Sequence, residues 1–189
     1  MPRLSMPQPL AIPLDQPVFP SDLTSMAEPP NTLDPDEVAK FSALAAQWWN
    51  PDGPFGALHR LNPVRLQYIR DLAVRHFGTS MRRPLEGLNA LDLGCGGGLV
   101  SAPLARMGAH VVGADASPEA IGAARTYARQ AGLDIDFECM TAEALVERGA
   151  VFDLVTALEI VEHVADVPAF LAAAAALVKP GGLIVLSTI

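Results

Sequence analysis

Cysteine is nearly missing from this chain: two in 189 residues, Cys95 and Cys139, give no disulfide framework and fit a reducing cytosol. Cys95 has no evident basic partner beside it, which argues against a nucleophilic thiol. Positive charge is also scarce, with 13 Lys and Arg against 21 Asp and Glu for a net charge of −8. That argues against sequence-independent nucleic-acid binding, which relies on cations neutralising phosphates, and favours a small-molecule ligand. No long hydrophobic run is present either. The longest, Ala169 to Val178, is about half of the roughly 20 residues needed to span a bilayer, so no transmembrane helix is expected. No internal repeat is found. Apolar residues, by contrast, make up 50% of the chain, enough for one substantial core and one domain or little more.

Proline crowds the first stretch, at Pro2, Pro7, Pro9, Pro13, Pro17, Pro20, Pro29 and Pro30. These interrupt any packed element and any signal-peptide apolar region, and the single arginine there matches a transit peptide poorly. Residues 1–34 are therefore expected to form a disordered arm, and 35–189 a single domain with a helical cap over 35–78. Order should begin at Asp34-Pro35-Asp36-Glu37, which reads as a cap, a first-turn proline and a capping box closed by Glu37. Val38, Phe41, Ala45 and Trp48 then recur at helical spacing. A second helix is expected to begin at Asn62-Pro63 and stop at Gly78.

From there strands and helices alternate. Strands are expected at Asn89 to Leu93, His110 to Ala114, Ile135 to Cys139, Phe152 to Ala157 and Leu183 to Thr188. Helices are expected from Leu99 to Met107, from Ser117-Pro118-Glu119, from Thr141, and over Ala169 to Leu177. Lys179-Pro180-Gly181-Gly182 reads as the turn into the last strand. This alternation implies an α/β fold with a doubly wound, Rossmann-like parallel sheet, preceded by two helices.

The chemistry concentrates in Leu91-Asp92-Leu93-Gly94-Cys95-Gly96-Gly97-Gly98, a glycine-rich turn between a strand and a helix. Without a Cβ the backbone at Gly94, Gly96 and Gly98 can approach a ligand closely. The dinucleotide fingerprint would need a third glycine at position 99, which is Leu99, and a carboxylate at Asp92 gains nothing beside a pyrophosphate. Both departures favour a cofactor that lacks phosphates and carries positive charge. Asp115 ends the next strand, roughly 20 residues on, where a carboxylate can accept hydrogen bonds from both ribose hydroxyls. The alternative is a loop that only turns the chain.

The D-x-G-x-G-x-G spacing of Asp92 to Gly98 resembles motif I of class I methyltransferases, which use S-adenosylmethionine. A narrower match follows from Lys40-Phe41, Trp48-Trp49, Pro54-Phe55, Leu58-His59-Arg60, Asn62-Pro63-Val64-Arg65 and Glu159-Ile160-Val161-Glu162-His163-Val164. Over about residues 36 to 189 the chain resembles the bacterial ubiquinone-biosynthesis O-methyltransferases. The resemblance implies cofactor contacts from Arg65, Gly94, Asp115 and Leu158, to which the residue chemistry adds Asp92 and Gly96. For Arg65 the bland reading is a solvated charge near a helix start, and for Leu158 it is core packing. Trp48 and Trp49 could stack on an aromatic or isoprenoid substrate, although large aromatics more often pack a core. His59 and Arg60 either help close the pocket or belong to a solvated loop. Because a complete class I methyltransferase continues past the strand that ends near Ile189, the chain is expected to be truncated, with its closing C-terminal strands missing and one sheet edge bare.

Glu159, Glu162 and His163 follow i, i+3, i+4 spacing, which places them on one face if the segment is helical. Methylating a phenol requires removing a proton with an ordinary pKa of about 10. His163, with Glu162, is the candidate acid–base pair. The resemblance further implies a divalent metal held by Glu159, Glu162 and His163, magnesium first, with zinc or manganese as alternatives. The alternative is carboxylates complementing a helix end and an ordinary hydrogen-bonded histidine. The expected activity is methyl transfer to a lipophilic polyprenyl catechol or phenol in ubiquinone biosynthesis, in the cytoplasm, with peripheral contact at the inner membrane or a biosynthetic complex as further options. Rival readings are another small-molecule class I methyltransferase, a non-catalytic methyltransferase-fold subunit and, last, an NAD-dependent oxidoreductase.

Overall fold

A computed structural model of the chain describes residues 32–188. The expected proline-rich arm therefore lies, through residue 31, outside the described residues. Five strands, β1 (Asn89–Leu93), β2 (His110–Asp115), β3 (Asp136–Cys139), β4 (Phe152–Leu158) and β5 (Val178–Ser187), form one sheet in the order β3-β2-β1-β4-β5. Every pairing is parallel. The order reverses between β1 and β4, so a crevice opens beyond the C-terminal ends of those two strands.

Strand alternation divides the core. Leu91, Leu93, Val155 and Ala157 pack with Leu145, Phe170 and Leu177, from α5 (Ala142–Glu147), α6 (Val167–Ala176) and the residue after it. Their neighbours Ala90 and Leu154 face the other way, onto Ile69, Ala73 and Leu104 of α2 (Gly56–Phe77) and α3 (Ser101–Arg106). A strand buried on both faces reads as a near-continuous apolar run, as β1 and β4 do.

The expected caps form. Asp34 accepts from the amides of Asp36 and Glu37 at the start of α1 (Pro35–Ala43). Ser117 caps α4 (Pro118–Ala131) through Ala120, and Thr141 caps α5 through Ala144. Each cap stabilises its helix by about 1 kcal/mol. Glu37 does not complete a capping box, because its carboxylate turns to Lys40 and to His163.

Three boundaries differ from expectation by more than two residues. The first helix ends at Ala43 and is followed by a 3-10 turn, Ala45–Gln47, rather than continuing to Trp48. Here burial of Ala45 and Trp48 against Phe55 and Leu99 overrides the helical period. The second helix begins at Gly56, with Pro63 inside it. Asn62 does not cap a new helix, because its side-chain amide donates to the Leu99 carbonyl at 2.8 Å. Lastly, β5 starts at Val178, and Lys179 to Gly182 form a bulge: partners step from Phe152–Val178 to Leu154–Leu183, with Gly181 at φ 75 absorbing the extra chain. Among the described residues, β5 pairs with β4 alone.

Candidate functional site

The crevice holds a cavity of about 400 Å3 lined by Arg65, Asp92, Gly94, Asp115, Leu158, Glu159, Glu162 and His163. All the expected site residues except Gly96 thus border one space. Gly96 sits one turn behind it and donates its amide to Asp115 Oδ2 at 2.8 Å.

The glycine loop is fixed by the protein itself. The amides of Gly94 and Cys95 donate to the Ala114 carbonyl. Gly94 adopts φ 69 and Gly96 φ 52, and a Cβ would overlap Ile160 at the first and the Trp48 ring at the second. The glycines are therefore needed chiefly for protein side chains that press on the loop. Of the two readings of the tryptophans, packing is the one their contacts show. Trp48 is buried, stacks on Phe55 at 3.7 Å between centroids, and roofs the loop. Trp49 donates its indole N–H to the Gly97 carbonyl at 2.9 Å and stacks on Tyr127. His59 Nε2 donates to the Trp48 carbonyl at 2.9 Å, which assigns it to the same support. Arg60 is exposed.

Asp115 Oδ1 takes the Ser117 amide at 2.8 Å, and Oδ2 takes Gly96. Each oxygen keeps a lone pair. Burial pushes the Asp115 carboxyl above its ordinary pKa, against those two amide bonds. Asp92 is deeper, 3% exposed, and accepts from the hydroxyls of Ser101 (2.6 Å) and Thr156 (3.0 Å). Desolvation nevertheless raises its pKa to about 6, so its ionised form is short of positive charge. Burial also pushes the Cys95 thiol up, which keeps it an inert thiol. Leu158 ends β4 and is partly buried against the core, so packing and cavity lining coexist.

In the same cavity lining Arg65, on α2, has its side chain 10% exposed. One terminal nitrogen donates to Asn62 at 2.9 Å. The other lies 3.5 Å from Glu159 Oε1, an ion pair too poorly aligned to count as a hydrogen bond. Arg65 Nε and Nη1 and Glu159 Oε2 are buried without hydrogen-bond partners among the described residues. Burial lowers the Arg65 pKa, while Glu159 and Asp92 raise it, yet a guanidinium stays charged. A buried, charged fork with unsatisfied donors facing a cavity fits an anionic ligand group such as a carboxylate.

The carboxylate–histidine cluster departs from the expected arrangement. The segment is a 3-10 turn, Val161–His163, not an α-helix, and Glu159 precedes it at φ 55, the only non-glycine residue with positive φ among the described residues. That conformation costs about 1–2 kcal/mol and sends Glu159 to Ser187, whose hydroxyl donates at 2.6 Å, and to Arg65. Glu162 is exposed. His163 Nδ1 lies 2.7 Å from Glu37 Oε2. Among the described residues no group of three His, Cys, Asp or Glu side chains is placed to hold a metal ion. The expected shared ion of Glu159, Glu162 and His163 is thus not supported by this arrangement, because the one-sided spacing required a helix.

Sequence reasoning missed Glu37 as a wall of the cavity, together with Phe41, Met140 and Ile160. Glu37 carried a capping signal that concealed its long-range role. Its carboxyl is held below the ordinary range by hydrogen bonding from Lys40 first and also from His163. Among the described residues no helix is long and apolar enough to cross a membrane.

A family described as a methyltransferase domain matches residues 91–186. The ubiquinone biosynthesis O-methyltransferase of Rhizobium etli is 55% identical over 161 residues, covering 84% of this chain and 65% of the relative. That of Azorhizobium caulinodans is 54% identical over 160 residues, covering 84% and 63%. The chain spans slightly less than two thirds of the length of these curated relatives. Magnesium protoporphyrin IX methyltransferase from Synechocystis, solved with bound S-adenosylmethionine, has the same fold: TM-score 0.58 and 24% identity, over 79% of this chain and 74% of that one.

Proposed function

The chain belongs to the methyltransferase-domain family, and from that premise we propose that it binds S-adenosylmethionine and methylates a hydroxyl of a polyprenyl catechol or phenol in ubiquinone biosynthesis. The observation that carries the cofactor is the pair of unsatisfied charged groups, Arg65 and Glu159, lining the same cavity as Asp115. An amino-acid moiety matches that pair, with its carboxylate on Arg65 and its ammonium toward Glu159 Oε2. A ribose matches Asp115, each of whose oxygens has capacity for a hydroxyl. Leu158 and Met140 supply apolar surface for a base between them. The bound cofactor supplies an electrophilic methyl group.

The substrate class rests on the relatives' names and identity. Apolar lining from Val38, Phe41, Leu44, Phe55 and Val164 suits a lipophilic phenol or catechol. His163 takes the hydroxyl proton as general base, since a phenol with a pKa of about 10 is a poor nucleophile at neutral pH. Glu162 stands at the cavity wall but exposed, and assists only by its charge. No step is routed through a metal, because Glu159 turns to Ser187 and Arg65, His163 to Glu37, and Glu162 is exposed.

The test is calorimetry with S-adenosylmethionine, S-adenosylhomocysteine and NAD, followed by methyl transfer to a catechol. The first two ligands bind and NAD does not, and Asp115→Ala weakens binding by roughly 1–3 kcal/mol. Tight NAD binding, or unchanged affinity in the variant, overturns the cofactor assignment. Transfer to amines or carboxylates but not to hydroxyls overturns the substrate class.

A further inference from the structure

Asn62 is a polar side chain only 9% exposed, inside α2 and not at its end. The two ends of its amide serve different partners. Nδ2 donates to the Leu99 carbonyl at 2.8 Å, and Oδ1 accepts from Arg65 Nη2 at 2.9 Å. Leu99 is buried and follows directly on the glycine loop, whereas Arg65 lies one turn on from Asn62 along the same helix face. One side chain therefore spans from the loop to the guanidinium. Among the described residues its oxygen gives the Arg65 side chain its only aligned hydrogen bond: Nε and Nη1 have none, and Nη1 stands 3.5 Å from Glu159 Oε1. Leu99 and Arg65 both border the cavity, and Asn62 is not among the residues that do.

A carbonyl oxygen only accepts hydrogen bonds and a guanidinium only donates them, so the two partners fix which end of the amide faces which. An aliphatic side chain would satisfy neither, and a carboxylate would set its charge against the Leu99 carbonyl. Asparagine is also a weaker helix former than alanine or leucine, so its place inside α2 is explained by these two bonds and not by the helix. An arginine fork binds a carboxylate well only when its plane is fixed beforehand, since otherwise the freedom of its long stem is lost on binding.

We propose that Asn62 is a positioning residue for the cofactor: it fixes the plane of the Arg65 guanidinium, so that the unused donors are presented to the cofactor's carboxylate, and it ties that fork to the end of the glycine loop. This deepens the reading of the cavity as an S-adenosylmethionine site and rests on it. Because Asn62 does not border the cavity, its effect reaches a ligand only through Arg65 and Leu99. The carboxylate is the one part of the cofactor that should sense its loss strongly. The ammonium and the ribose, which match Glu159 and Asp115, should sense it little.

The experiment is calorimetry of wild type and Asn62→Ala with two ligands, S-adenosylmethionine and its decarboxylated form, which keeps the ammonium, the sulfonium and the adenosine but has no carboxylate. The two proteins and two ligands form a double-mutant cycle in which the ligand's carboxylate is one of the deleted groups. Wild type prefers the ligand that carries the carboxylate. Asn62→Ala lowers the affinity for S-adenosylmethionine roughly tenfold to a hundredfold, as expected for a hydrogen bond to a charged group, and leaves that for the decarboxylated ligand within about threefold. Retained binding of the second ligand shows that the variant is folded. Asn62→Ser, too short to reach Arg65 and Leu99 together, shows the same selective loss and replaces the alanine variant if that one does not fold. Equal losses for the two ligands overturn the proposal and reduce Asn62 to a support of the fold. So does an unchanged affinity for S-adenosylmethionine, or a wild type that does not distinguish the ligands. A wild type that binds neither ligand refutes the cofactor reading and the proposal together. A wild type that shows the selective loss on substitution yet methylates no catechol supports the Asn62 assignment and refutes the substrate class alone.

Discussion

At the glycine-loop end of the cavity nearly every polar atom is satisfied by the chain itself: Asp92 by Ser101 and Thr156, Asp115 by Gly96 and Ser117, and the loop amides by Ala114. Where Arg65 and Glu159 line it, both keep unsatisfied buried atoms, and Glu159 holds a left-handed backbone. The first end is nearly finished before a ligand arrives, the buried Trp48 Nε1 being the exception among the described residues. The second is held in an unfavourable state that a ligand would relieve, so binding energy is concentrated where satisfaction is incomplete.

The largest effect that tests this contrast lies at the unfinished end. His163→Ala is expected to lower kcat by roughly 10² to 10⁴ while leaving S-adenosylhomocysteine affinity unchanged, as stopped assays and calorimetry would show. A variant that keeps its turnover moves the base elsewhere. Next comes the ion pair. Arg65→Met alone strands the Glu159 charge and should destabilise the fold by about 3 kcal/mol, whereas Arg65→Met with Glu159→Gln should recover most of that loss in urea titrations. Both should bind cofactor poorly. If the double variant binds normally, the ion pair is structural and the comparison collapses.

The finished end predicts a pH effect of similar or smaller size. Asp92 rises from 3.8 to about 6 on folding, so the folded chain holds that proton more tightly than the unfolded one. Its contribution to stability is fully present below 3.8 and is lost as pH rises toward about 6, a swing of about 3 kcal/mol. Relative to wild type, Asp92→Asn should therefore gain stability steadily across that window and level off above it, by thermal unfolding at a series of pH values. A flat difference would mean that Asp92 ionises freely. A positively charged cofactor favours the Asp92 carboxylate, so wild-type affinity should also fall below about pH 6, and less so in Asp92→Asn. The smallest change is Trp49→Phe, which keeps the stacking on Tyr127 but removes the bond to Gly97. About 1 kcal/mol of stability should be lost, with cofactor affinity weakened by no more than a few fold.

The same contrast sets what was legible in the sequence. The strands β1 and β2, the glycine loop between them, and the caps at Asp34, Ser117 and Thr141 depend on residues within a few positions of one another, and each formed where its local pattern placed it. Arg65 and Asp115 border one cavity, the first expected at a cofactor site through family resemblance and the second through spacing. What local pattern could not carry was competition from distant partners. Pro63 looked like a helix start until Asn62 found Leu99. Glu37 looked like a capping residue until His163 claimed it. The i, i+3, i+4 spacing of Glu159, Glu162 and His163 assumed an α-helix, and one left-handed residue followed by a 3-10 turn redirected all three.

Both tryptophans of the chain rest on one turn: Trp48 against Gly96 and Gly97, Trp49 bonded to Gly97 and stacked 3.3 Å from Tyr127. The protein's ultraviolet emission is therefore a local signal, arising from indoles that share a single four-residue neighbourhood instead of averaging over the whole molecule. Movement of that turn is written directly into wavelength and intensity. The fold thus carries its own optical gauge of the loop, readable in dilute solution without a label.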